Sequence, residues 1–186
     1  LDYFDLRERY TPGSTSALED IVKENHNWFR AKIEIDQYFR KGKYSTGYYV
    51  GGVFSNQPFF TNFSSTLVSF SGFEPLQDSK TLFLRNFRSP KYAAVGLRNI
   101  YSLRQNLEFR LEGYAFLPFE RIEQTIDQRP ISRNFEDVYL AGSASLTLHS
   151  PVGPINLSLN YYDDADNQFG VLLHLGYLLF KEKSLE

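Results

Sequence analysis

The chain has 186 residues, 42% of them hydrophobic and 23% charged, with a formal net charge of −2. That is enough for one core, with no basic excess to recruit nucleic acid. The absence of Cys excludes a disulfide framework, a thiol nucleophile and any Cys-bearing metal site, while 13 Tyr and 17 Phe favour strands and wet–dry boundaries.

The first residues are Leu-Asp-Tyr-Phe, with neither initiator Met nor signal peptide, so a processed product or an excised segment is expected. Leu1 to Tyr10 has room for one short strand. Thr11 to Asn27 reads as a long polar loop with a helical turn at Ala17 to Glu24. Trp28 to Arg40 is the most strongly patterned strand: Phe29, Ala31, Ile33, Ile35 and Phe39 face one way, and Arg30, Lys32, Glu34, Asp36 and Arg40 the other. Lys41-Gly42-Lys43 is a tight turn, and Tyr44 to Ser55 returns.

Gln57 to Pro90 is a long excursion rich in Phe, Ser, Asn and Pro, a length that implies a task. Tyr92 to Leu103 and Leu107 to Leu117 form a strand pair around Arg104-Gln105-Asn106, with Arg98, Glu108, Arg110, Glu112 and Tyr114 on the polar face. Pro118 to Asp137 reads as a second long loop. Val138 to His149 turns at Ser150-Pro151 into Ile155 to Tyr162, and an acidic loop, Asp163 to Gln168, leads to the run from Phe169 to Phe180. In this last pair Ile155, Leu157, Leu159, Val171, Leu173 and Leu175 share a face free of charge, while His174 and Gly176 look the other way.

No apolar run approaches the roughly 20 residues of a membrane helix, which does not bear on a barrel, whose strands alternate. Connections alternate short and long, as in outer-membrane barrels, and charges of both signs stack mid-strand on the polar face. A soluble sandwich uses the same alternation with its apolar face turned to a core. The loop rhythm and aromatic content favour an all-β, antiparallel up-and-down transmembrane β-barrel of about eight strands. Eight strands suffice for the smallest closed barrel and equally make half of a sixteen-stranded one. The headless N-terminus favours the second half. Residues 1–186 are then one outer-membrane barrel segment, with a lumen or extracellular loop at 57–90 and a second long loop at 118–137.

Pro151-Val152-Gly153-Pro154-Ile155-Asn156-Leu157, followed by a strand ending Leu175-Gly176-Tyr177-Leu178-Leu179-Phe180, resembles the C-terminal end of the bacterial surface antigen superfamily, the sixteen-stranded outer-membrane barrels of protein assembly and two-partner secretion. That superfamily carries an Arg-Gly-Phe/Tyr motif on a loop folded back into the lumen. Leu84-Arg85-Asn86-Phe87-Arg88 stands in the matching loop, with five strands after it and Asn86 in place of Gly. Asn also tolerates left-handed geometry. Tyr44-Ser45-Thr46-Gly47-Tyr48, Ser55-Asn56-Gln57-Pro58-Phe59-Phe60, Ser79-Lys80-Thr81-Leu82-Phe83-Leu84 and Glu112-Gly113-Tyr114-Ala115-Phe116-Leu117-Pro118, in this order, are similar to the C-terminal region of patatin-like phospholipases fused to such a barrel. The resemblance implies a lipid acyl hydrolase domain upstream, and a chain that lacks the enzyme.

No catalytic motif stands in these residues. Gly142-Ser143-Ala144-Ser145 lacks the second Gly of a nucleophile elbow and lies mid-strand. His149 and Ser150 are adjacent on a strand and point to opposite faces, so they do not form a base–nucleophile pair. His26, His149 and His174 have no ligand spacing. Asp163, Asp164, Asp166 and Asn167 lack the Gly and Glu of a calcium loop and read as a solvated hairpin loop. No metal and no cofactor is expected.

The candidate site is the lumen. Arg30, Lys32, Glu34, Asp36, Arg98 and Arg110 are expected to line it, and Arg85 or Arg88 on the long loop to reach Glu108 or Glu112 as a charge-assisted lock that plugs or gates a pore. The plainer reading leaves both arginines on a solvated loop. The expected partners are outer-membrane lipids, the other half of the barrel and an upstream patatin-like domain, with no nucleic acid. The expected function is a membrane anchor and conduit in the bacterial outer membrane. The alternatives are a stand-alone small barrel acting as adhesin or anchor, and a soluble β-protein binding an apolar ligand.

Overall fold

The computed structural model describes residues 1–9, 23–60, 63–124, 130–134, 137–151, 153–164 and 166–176. Within them runs one eight-stranded antiparallel sheet in up-and-down order, with a separate two-stranded hairpin. The large sheet comprises β1 (Asp2–Arg9), β2 (Lys23–Lys41), β3 (Tyr44–Ser55), β4 (Lys91–Arg104), β5 (Leu107–Pro118), β8 (Tyr139–Ser150), β9 (Gly153–Tyr162) and β10 (Phe169–Leu175), each hydrogen-bonded to its neighbour in that order. The hairpin is β6 (Glu120–Gln124) with β7 (Pro130–Asn134). The sheet is open: β1 and β10 are its edges, and no ladder joins them among the described residues.

Alternation in the sequence becomes a division between two faces. Ile33, Leu157 and Leu173, from three different strands, are 69%, 49% and 60% exposed on one face. Val50, Val95, Leu97, Leu111, Leu140, Leu159 and Val171 are also exposed. The register explains the continuity, because Ile35 opposes Val50, Val50 opposes Val95, Leu146 opposes Leu157 and Leu157 opposes Leu173. The other face, here called inner, carries the charges of β2, β4 and β5 and a set of buried aromatic rings. That inner face is covered by residues 56–60 and 63–90, which contain the short helix α1 (Phe63–Ser69) and two single 3₁₀ turns, Asp78–Lys80 and Arg85–Phe87.

Turn chemistry sets the short connections. Gly42 adopts φ 62° between β2 and β3, and Gly153 φ 131° where β9 begins, backbone regions that a side chain disfavours. Two long segments differ from the sequence expectation. Lys23 to Asn27 extends β2 instead of ending a loop, with Lys23 opposite Arg9 and His26 opposite Leu6. The rest of the expected helical turn, and the side chain of His26, lie outside the described residues. Pro118 to Asp137 is not simply a loop, since it holds the β6–β7 hairpin. The expected continuation of the last strand through Tyr177 to Phe180 also lies outside the described residues.

Inner-face glycines make room for rings from neighbouring strands. Gly96 opposes Tyr114, and a Cβ at Gly96 would stand 2.3 Å from the Tyr114 ring. Gly47 opposes Tyr38 in the same way, at 2.7 Å. A Gly96→Val variant should lose about 1–3 kcal/mol of stability through this overlap, read by denaturant unfolding in detergent micelles. Gly113→Val is the control, because a Cβ there meets nothing within 4 Å, and its midpoint should move much less.

Candidate functional site

Six strand residues, Tyr49, Tyr92, Tyr114, Phe116, Tyr139 and Tyr162, form an aromatic shelf on the inner face, and all are buried. They sit at polar-face positions of the alternation, so without a cover they would meet water. Phe73, Leu76, Leu84 and Phe87 of the long loop pack on them. Phe73 stacks on Phe116 with ring centroids 5.6 Å apart and meets Tyr49, Tyr92 and Tyr114. Phe87 is 1% exposed and sits among Phe116, Tyr139 and Tyr162. Full burial of one such side chain contributes about 1.5–3 kcal/mol. A second cluster, Phe63, Leu67 and Phe70 with Phe59, gives α1 its own small core.

Polar anchors fix the loop in register with the wall. Asp78, in the first 3₁₀ turn, accepts hydrogen bonds from the Tyr162 hydroxyl and from Asn160 Nδ2 on β9. The backbone N–H of Asn86 donates to Asp164 Oδ2 at 3.0 Å, and its side-chain amide donates to the Asp163 carbonyl at 3.1 Å. Arg30 of β2 donates to Ser71 Oγ at 3.1 Å. Ser89, fully buried, holds its hydroxyl 2.8 Å from the carbonyl oxygens of both Lys91 and Glu120, which share its one proton. Asn86 lies in a right-handed 3₁₀ turn and has no need of the left-handed geometry expected at this position.

The loop is therefore held against the wall, but not by the expected ion pairs. Arg88 is engaged within the loop: it donates to the Val68 and Phe70 carbonyls, lies 3.8 Å from Glu74 and covers the Phe83 ring. Burial lowers its pKa, and the Glu74 carboxylate pushes it back up. Arg85 is exposed and forms no ion pair among the described residues. Glu108 is taken by Arg110 at 2.8 Å and faces His149 Nε2 at 3.4 Å. Glu112 accepts from the Tyr114 hydroxyl and lies 3.8 Å from Arg98. The mismatch is one of depth. Glu108 opposes Ser102 and Thr147 near the short turns, whereas Phe87 is level with Phe116 and Tyr139.

The other expected lumen charges lie on the inner face and pair with one another. Arg98 binds Asp36 and the Tyr38 and Tyr114 hydroxyls, and stacks over Tyr49. Lys32 pairs with Glu34 at 3.0 Å, and Glu34 accepts from the Tyr49 hydroxyl. Arg30 also reaches Asp2 at 3.0 Å. The acidic hairpin loop is not simply solvated, because Asp164 is 2% exposed and its carboxylate caps the backbone of Asn86 and of Asp166. Ser150 donates to the Gly153 carbonyl and His149 faces Glu108, so the two diverge. Among the described residues no group of three or more His, Cys, Asp or Glu could hold a metal ion.

Hollows line the inner side among the described residues. A 560 Å³ space is bounded by Lys32, Glu34, Asp36, Arg98 and, from the loop, Glu74 and Lys80. A 180 Å³ space lies between Pro75–Gln77 and β5, β8 and β9, and a 230 Å³ space lies beside Arg85, Asn86 and Asp166. No family model matches the chain, and comparisons with curated proteins and with solved structures find no match either.

Sequence reasoning missed Asp78, Phe87 and Asp164 as anchors. The available signal was the row of Tyr residues at polar-face positions, which demands an apolar cover. Phe87→Ala should cost about 3–5 kcal/mol and expose the loop to limited proteolysis. Asp78→Ala should expose it too, by stranding Asn160 and the Tyr162 hydroxyl. Glu112→Gln, which leaves every loop contact in place, should not change the loop's cleavage rate.

Proposed function

We propose that the chain is the membrane-spanning half of an outer-membrane barrel from a patatin-like protein: an anchor whose lumen is occupied by its own loop. The observation that carries this reading is the outer face. Its large aliphatic side chains run exposed across the strands of the open sheet, with Lys91 of that face at the first position of β4, while most ionic side chains pair on the opposite side. In water such a surface far exceeds what a soluble monomer tolerates. In hydrocarbon it is the favourable arrangement.

The open edges support the half-barrel form. Among the described residues β1 and β10 each present a row of backbone groups with no neighbouring strand, and in a bilayer each unpaired group costs several kcal/mol. A complementary set of strands would pair both rows and enclose the loop. The resemblance of short strings, such as Ser55 to Phe60 and Glu112 to Pro118, to patatin-like proteins bears on the proposed parent. Any lipid acyl hydrolysis belongs to a preceding domain, and the outer membrane is the compartment where the pieces fit.

Nitroxide labels at Leu97, Leu157 and Val171, in protein reconstituted with phospholipid, should be more accessible to oxygen than to a water-soluble nickel complex. Labels at Ser143 should show the reverse. Outer-face labels that prefer the nickel complex would end the membrane reading. Leu97→Arg should also cost about 2–4 kcal/mol in a bilayer, whereas a protein with that face in water would be indifferent to it.

A further inference from the structure

Not every outward position is aliphatic. Where β2, β3 and β4 near their short turns, the outer face carries hydrogen-bonding groups. Residues opposed in a ladder share a face, and the register sets Lys41, Tyr44 and Tyr101 in one row. Phe39, Thr46 and Asn99 form the next row, and Tyr48, Leu97 and Gly113 the one beyond. Asn99 Oδ1 accepts from the Tyr44 hydroxyl and from Thr46 Oγ1 at 3.0 Å. The Asn99 amide nitrogen has no acceptor among the described residues and stays accessible at the surface. Lys41, the last residue of β2, is exposed and forms no ion pair among them. Past the Asn99 row the face is hollowed into a shallow 610 Å³ groove, lined outwardly by Tyr48, Val50, Val95, Leu97, Gly113 and Leu140. Gly113 keeps its floor low, since a Cβ there would meet nothing within 4 Å.

We infer that this part of the outer face holds one anionic glycerophospholipid from the leaflet on the short-turn side. The inference rests on the membrane reading and names the lipid that the face selects. The protein groups follow the order of the lipid's own: a cation, then amide donors, then hydrocarbon. The phosphate meets Lys41, whose ammonium is a point charge on a flexible four-carbon stem. The glycerol ester oxygens, which only accept, take the Asn99 amide N–H groups. One acyl chain lies in the groove against Leu97 and Val95. Lys41 and Asn99 stand on strands two apart in the sheet, about 10 Å across it. A glycerophosphate spans that distance with the reach of the lysine. An ammonium without a counter-charge favours a lipid of net negative charge over a zwitterionic one.

The test is native mass spectrometry of the full chain released from detergent micelles, titrated with phosphatidylglycerol or with phosphatidylcholine of the same acyl chains. One phosphatidylglycerol should be retained about tenfold more tightly than phosphatidylcholine. Lys41→Gln should abolish that preference and leave phosphatidylcholine unmoved. Asn99→Leu removes the donors and Gly113→Phe fills the groove, so each should weaken both lipids about fivefold or more. Equal retention of the two lipids by the unaltered chain overturns the proposal, a result that needs no variant to fold. So does a preference that survives Lys41→Gln, or a dimer that forms in place of lipid adducts. The nitroxide labels separate this site from the membrane reading. Oxygen-preferring labels with unselective adducts sink the site alone, whereas nickel-preferring labels remove both.

Discussion

A sheet that turns its aliphatic side outward has no core of its own, and the rest of this structure answers that constraint. The core here is built on the inner face, between the aromatic shelf of β3, β4, β5, β8 and β9 and the four apolar side chains of the long loop. Phe73 and Phe87 each touch rings from more than one strand. They therefore tie together strands whose outer side chains give no cohesion to one another. Removing the loop would leave Tyr and Phe rings facing water inside and aliphatic groups facing out, with nothing buried on either side.

The ionic groups obey a second rule. Charges inside are matched within the wall: Arg98 of β4 reaches Asp36 of β2 across β3, and Arg110 pairs with Glu108 on its own strand. Tyrosine hydroxyls complete the arrangement, since Tyr49 serves Glu34 and Tyr114 lies between Arg98 and Glu112. Pairing within the wall also leaves it electrically satisfied before the loop arrives. The loop is then bound by shape, by aromatic contact and by hydrogen bonds to Asp78 and Asp164.

Much of this was legible in the residues. The strands from Tyr44 to Tyr162 fall within one or two positions of where alternation puts them, because a period of two across a half-buried sheet is hard to imitate. Three elements escaped. Lys23 to Asn27 and the β6–β7 segments are polar on both sides and carry no alternation. The helix α1 spans seven residues, too few to establish a helical period. The partners of Arg85 and Arg88 were misjudged for another reason. Opposite charge is common on this face and says nothing of depth, whereas the aromatic rings at Tyr92, Phe116, Tyr139 and Tyr162 mark the level at which the loop sits.

The far anchor of the loop has a consequence for how the molecule is put together. Asp78 and Tyr162 are 84 residues apart in the chain, and Asn86 and Asp164 are 78 apart. Contacts of such long sequence separation close late. The pairs β2–β3 and β4–β5 are each joined by a short turn, whereas the excursion between β3 and β4 finds half of its seat only on β8 and β9. The seat of Phe87 beside Tyr162 therefore exists only once β9 is in place.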